Sequence, residues 1–191
     1  MTAVPWRRIG LAPTLLLGLA LLGGCSSLPA PPDSTPALAS DAAYLSGRLA
    51  VRVEGDNSRS FSADFELQGD ARLGRLALSS ALGTSVARAQ WSPARIQLQT
   101  SDGSYQFSSL DALAQEALGE PVPLAALFDW LQARPWPAAG STPLDAAQPA
   151  RGFRQLGWEV DLERHASDGL VTATRREPAP TLTVRARLDR S

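Results

Sequence analysis

Strict alternation of apolar and polar residues recurs in one segment after another of this chain, and it limits the possible folds more than any other feature. Leu45, Gly47, Leu49, Val51 and Val53 alternate with Ser46, Arg48, Arg52 and Glu54, the period-2 pattern of a strand buried on one face. Gly55-Asp56-Asn57-Ser58 is turn chemistry, and beyond it Phe61, Ala63, Phe65 and Leu67 oppose Ser62, Asp64, Glu66 and Gln68. Strands joined so tightly pair antiparallel. Further strands are expected over 72–79, 84–91, 94–100 and 105–107. After a Pro/Ala-rich connection at 135–150, three more follow: one with Leu156, Trp158, Val160 and Leu162 on one face, one over 170–174, and a last one carrying Leu182, Val184, Ala186 and Leu188. The pattern therefore predicts a mainly β meander of roughly nine strands.

One break in the period interrupts it. Leu110, Leu113, Ala114, Ala117 and Leu118 recur at helical spacing, with Ser109 as N-cap and Gly119 as stop. Pro123 suits the first turn of a second helix whose apolar face is Leu124, Leu127, Phe128 and Leu131, closed by Pro135. One-faced strands in such number must curl until their apolar faces meet, as a barrel or part of one, and the helical pair either covers its mouth or fills its centre.

The inward set includes Leu49, Val51, Phe65, Leu67, Leu76, Leu78, Ile96 and Leu98 from strands, with Leu113, Leu127 and Leu131 from helices. Ordinary core packing accounts for any one of them. Three large aromatics, Trp91, Trp130 and Trp158, in a domain otherwise poor in aromatics raise the expectation of an acyl-binding hollow, which Val160 would also line. No polar group is expected to converge on them, so the implied ligand is apolar, not a sugar, nucleotide or metal. A tightly filled interior with the tryptophans wedged together would speak against this reading.

Ser79-Ser80-Ala81-Leu82-Gly83-Thr84-Ser85 joins two strands, yet its centre is leucine where hairpin tips carry Asn, Asp, Gly or Ser. Leu82 is either tucked under the sheet end or exposed to enter a membrane or partner. Entry into lipid would gain about 1.5 to 3 kcal/mol, enough to orient a domain that is already tethered.

The first segment supplies the tether. Arg7 and Arg8, an apolar run from Leu11 to Leu22, and Gly23-Gly24 ahead of the single cysteine have the layout of a signal peptide over 1–24. The apolar run falls well short of the roughly 20 residues a membrane-spanning helix needs. Leu21-Leu22-Gly23-Gly24-Cys25 resembles the bacterial lipobox. The resemblance implies a diacylglyceryl group and an N-acyl chain on Cys25, and Ser26 beside it favours the outer membrane. Residues 25–42, rich in Pro, Ser and Ala, read as a lipidated flexible tether to a domain over 43–191.

Every basic residue is arginine, scattered among acids without a run, and the net charge is slightly negative; nucleic acid is excluded as a partner. The lone histidine, His165, lies in a polar stretch without a nucleophile elbow, so neither an enzyme nor a cofactor is expected.

Taken in order, the lipobox, Leu45-Ser46-Gly47-Arg48-Leu49-Ala50-Val51, Leu78-Ser79-Ser80-Ala81-Leu82-Gly83-Thr84, the stretch Pro121 to Leu131 and Gln155-Leu156-Gly157-Trp158-Glu159-Val160 resemble the LolB family. That resemblance implies an open, strongly curved antiparallel sheet, an incomplete barrel capped by helices, with an apolar cavity for acyl chains. It implies a monomer on the periplasmic face of the outer membrane of a Gram-negative bacterium. There it would accept the acylated N-termini of lipoproteins from a LolA-like carrier and pass them into outer-membrane lipid, with Leu82 as the handing-over residue. The alternative is a structural or partner-binding outer-membrane lipoprotein without lipid transfer. The sequence departs from the family at Ala133, where Gly is common after the second helix, at Asp161-Leu162 in place of a tyrosine, and in ending at Arg190-Ser191 without a tryptophan.

Overall fold

The computed structural model describes residues 42–189; the signal-peptide reading, Cys25 and all but the last residue of the tether lie outside the described residues. The chain forms six strands, β1 (Tyr44–Val53), β2 (Asp56–Gly69), β3 (Gly74–Ser79), β4 (Ser85–Ser92), β5 (Arg95–Thr100) and β6 (Gly103–Phe107). Helices α1 (Leu110–Leu118) and α2 (Leu124–Leu131) follow. Then come β7 (Thr142–Pro143), β8 (Gly152–Gln155), β9 (Trp158–Asp161), the single turn α3 (His165–Asp168), β10 (Leu170–Arg175) and β11 (Leu182–Leu188).

All eleven strands join one open sheet in the order β6-β5-β4-β3-β2-β1-β11-β10-β9-β8-β7, every neighbour antiparallel. The first and last strands therefore meet in the middle, and two meanders grow outward from them. Along that seam Leu49 faces Ala186, Val51 faces Val184 and Val53 faces Leu182, all buried. Gly47 makes the close approach possible, because a Cβ there would lie 2.0 Å from the Arg187 carbonyl oxygen.

The helices form where the caps predict. The Ser109 hydroxyl accepts from the Ala112 N–H at 3.1 Å, and Gly119 ends α1 in the left-handed conformation. Helix α2 stops at Gln132, short of Pro135, because the chain turns at Ala133 with φ 58°.

Helix α2 buries six of its eight residues, leaving only Ala125 and Asp129 partly open. At about 100° per residue, that buried arc is wider than a helix lying on a flat surface would hide. Its Phe128 meets Trp91 of β4, while Trp130 meets Phe153 of β8 and Trp158 of β9. Strands β4 and β8 are seven places apart, about 34 Å across a flat sheet. Phe128 and Trp130, two positions apart on a short helix, touch both, so the sheet bends around α2.

Three details differ from the sequence reading. The β1–β2 turn is the tighter pair Glu54-Gly55, and Asp56 opens β2, its Oδ1 accepting from the Ser58 N–H, the Ser58 hydroxyl and the Arg59 N–H. The Ser58 hydroxyl leads these donors in holding the Asp56 carboxyl below its ordinary pKa. The expected single strand around 156–162 is a hairpin: Gln155 pairs with Trp158, and Leu156 and Gly157 form its two-residue loop with φ 53° and 80°. Leu156 is thus 46% exposed instead of facing inward with Trp158. The third is β7, two residues within the Pro/Ala-rich connection that were too few to show a period.

Two measurements check these backbone arguments. Ala133→Gly should stabilise the fold by about 1 kcal/mol in denaturant unfolding, since glycine removes the left-handed penalty. Gly47→Ala should destabilise it by about 1–3 kcal/mol or more, because backbone atoms of β11 cannot move aside.

Candidate functional site

The β3–β4 loop is braced by its own polar groups. The Ser80 N–H donates to the Thr84 carbonyl at 2.9 Å and the Gly83 N–H to the Ser80 carbonyl at 2.8 Å. The Ser80 hydroxyl also accepts from the N–H groups of Leu82 and Thr84, each at 3.3 Å. Gly83, at φ 78°, supplies the left-handed step that closes the loop. These bonds satisfy the loop internally and leave the leucine side chain with nothing to pack against. Leu82 is 93% exposed, so it is not tucked under the sheet end. Val86, at 49%, is the next exposed apolar side chain behind it.

The proposed cavity residues come together on the inner face. Leu49, Val51, Phe65, Leu67, Leu76, Leu78, Trp91, Leu113, Leu127, Trp130, Leu131, Trp158 and Val160 are all buried in a single core, and Ile96 packs half-buried at its margin. They meet the side chains of α2, which fills the centre of the bent sheet. Trp91 and Phe128 lie edge to face with ring centroids 5.4 Å apart, and Trp130 and Trp158 are 6.0 Å apart. The interior is therefore closed around the tryptophans, and the open hollow expected from the sequence is not what these contacts describe. Two surface clefts of about 180 and 330 Å³ lie elsewhere and are lined largely by polar residues.

The expectation that nothing polar converges on the tryptophans is also overturned. Trp130 Nε1 donates to buried Gln155 Oε1 at 2.8 Å, and the same oxygen accepts from the Trp136 N–H at 2.9 Å. The Gln155 amide nitrogen donates to the carbonyls of Trp136 and Ala139, both at 2.8 Å. One side chain thus pins the α2 tryptophan and the chain leaving α2 to strand β8. Its burial is legible only as the inward parity it shares with Phe153. Trp91 Nε1 donates to the Asp70 carbonyl at 2.8 Å, and the Arg175 guanidinium lies 5.7 Å from the centre of the Trp158 ring.

A second polar tie was also missed. Glu120, in the link between α1 and α2, is 2% exposed and ion-paired with Arg59 of β2. Arg59 shares the parity of inward-facing Phe61, Ala63 and Phe65, and the pair joins the helical link to the sheet. His165 opens the single turn α3, half-buried. Among the described residues no group of three or more His, Cys, Asp or Glu could hold a metal ion.

Comparison with known proteins places this geometry. A family profile described as "Outer membrane lipoprotein LolB" matches residues 42–185. The outer-membrane lipoprotein LolB of Bordetella petrii is 35% identical over 188 residues, covering 94% of this chain and 92% of its own length. That of Bordetella pertussis is 34% identical over 181 residues, 90% of this chain and 88% of its own. That of Thiobacillus denitrificans is 33% identical over 151 residues, 77% and 79% respectively. Since the profile runs from just ahead of β1 into β11 and so takes in the braced leucine loop, both helices and the Gln155–Trp158 hairpin, the chain belongs to the LolB family of outer-membrane lipoproteins.

Proposed function

We propose that this chain accepts lipoproteins from a LolA-like periplasmic carrier and inserts them into the outer membrane without any covalent step. The observation that carries the reading is Leu82, almost fully exposed on a loop whose own hydrogen bonds hold it out. Cys25, acylated, keeps the domain at the membrane, where Leu82 enters the lipid. Incoming acyl chains lie against the apolar inner face, displacing the α2 side chains packed there. Each methylene buried there contributes about 0.8 kcal/mol, and transfer follows from the difference in affinity between carrier, receptor and bilayer.

A second reading is favoured by the closed core: an outer-membrane lipoprotein that binds a partner and carries no lipid. Displacement of an environment-sensitive fatty acid separates the two. The transfer reading requires saturable binding that a long-chain acid displaces; a core that never opens binds neither.

Two outcomes are expected. A carrier loaded with labelled lipoprotein should pass its label one way to the protein, read by co-purification. Leu82→Glu should leave that acceptance within about twofold, being remote from the core, while losing most delivery to outer-membrane vesicles, because a buried carboxylate in lipid costs about 2.5–3.5 kcal/mol. Normal delivery by Leu82→Glu would show that the loop has no part in insertion.

A further inference from the structure

Behind the Leu82 loop, on the outer face of the sheet, lies a cleft of about 180 Å³ lined by Ser85, Val86, Arg88, Gln99, Thr100 and Ser101. Arg88 stands between Ala77 of β3 and Gln99 of β5 in the strand register. Seven arginines of the domain, Arg48, Arg59, Arg134, Arg151, Arg154, Arg164 and Arg176, are each ion-paired. Arg88, like Arg52, Arg72, Arg95, Arg185 and Arg187, is not, and of these it is the one that lines the cleft. Arg88 has no ion pair or side-chain hydrogen bond among the described residues. Gln99, directly opposite Arg88 and so on the same outer face, leaves its amide N–H groups to donate, whereas Thr100 pairs with inward-facing Ala87. Ser101 is turned toward the Asp102 carboxylate at 3.3 Å, the one acid in the adjoining turn.

Polarity changes in steps along this strand. Leu82 is at the tip, half-exposed Val86 comes next, and Arg88 follows on the same outer face as Val86. Arg88 is three residues into β4 from Ser85, about 10 Å at the rise of a strand. An arginine side chain is long enough to carry its charge most of the way back toward the tip. A bilayer has the same profile, acyl chains first and phosphates several ångströms above them. With Leu82 in the hydrocarbon, the cleft stands at the level of the phosphates.

We infer that the cleft of Arg88, Gln99 and Ser85 binds the phosphate of a bilayer phospholipid when Leu82 enters the membrane. The guanidinium offers paired N–H donors to the phosphate oxygens, and the Ser85 hydroxyl and Gln99 amide add lateral ones. The site rests on the reading of Leu82 as the membrane-entering residue, and it turns that loop from a greasy contact into a two-part anchor.

The test uses the mature lipidated protein in vesicles. Ala81→Cys gives a unique free thiol, since Cys25 is consumed by lipid, and a fluorophore there brightens and shifts to the blue on entering hydrocarbon. In phosphatidylcholine and phosphatidylglycerol vesicles, Arg88→Gln should lower the inserted fraction about fivefold. Arg88→Lys should recover part of the loss, and Arg185→Gln should leave insertion unchanged. In vesicles of digalactosyldiacylglycerol, which carry no phosphate, the parent and Arg88→Gln should insert alike. Equal insertion by parent and Arg88→Gln in the phospholipid vesicles overturns the inference, as does an equal loss from Arg185→Gln. Inorganic phosphate at constant ionic strength should compete for the site and lower the parent toward the Arg88→Gln level, whereas a loss from Arg88→Gln as large in the phosphate-free vesicles would also overturn the inference. Failure of Leu82 itself to enter lipid shows differently: the parent label then stays dim in every vesicle.

Discussion

The pairing of the first strand with the last governs the rest of this structure. With β1 and β11 side by side at the centre, each half of the chain can only add strands outward, and the halves end at opposite edges, β6 and β7. The segment joining those edges has to cross the sheet, and the face available to it is the apolar one. Helices α1 and α2 are that crossing. Their burial, the bend of the sheet around α2 and the contacts of α2 with both halves follow from one topological requirement, supported by the hydrophobic gain of covering a one-faced sheet.

Much of this was legible in the residues. Period-2 alternation marks the long strands because one face is wet and the other dry, and Ser109 and Gly119 mark α1 because helix ends need partners for orphan backbone groups. The hairpin at Leu156-Gly157 was not legible. Leucine is a poor residue for a positive φ, so nothing local signalled a turn, and the alternation on either side read straight through it. The site divides in the same way. The place of Leu82 at a hairpin tip was legible, but not whether it is tucked or exposed, because that turns on the bonds Ser80 makes across the loop. The closure of the core depends on how far α2 sinks into the sheet, which no local pattern encodes, and the burial of Gln155 and Glu120 depends on partners 25 and 61 residues away.

A filled core has a thermodynamic meaning for any guest that would enter it. Such a guest must displace packed side chains, so its apparent affinity is its intrinsic affinity reduced by the work of opening. Under the proposed transfer role that reduction favours release. The polar ties at Gln155 and at Arg59–Glu120 hold defined points of the helical crossing, so opening is constrained to the stretches between them.

The direction of β1 has a further consequence for scale. Strand β3 runs parallel to β1, and Ser79 at its end is level with Arg48 through Asp64, so the leucine tip projects from the end of the sheet opposite Tyr44. About 20 Å separates Tyr44 from the level of that tip. Whatever meets Leu82 is thus held a strand's length away from the point where β1 begins, which gives the domain a front and a back.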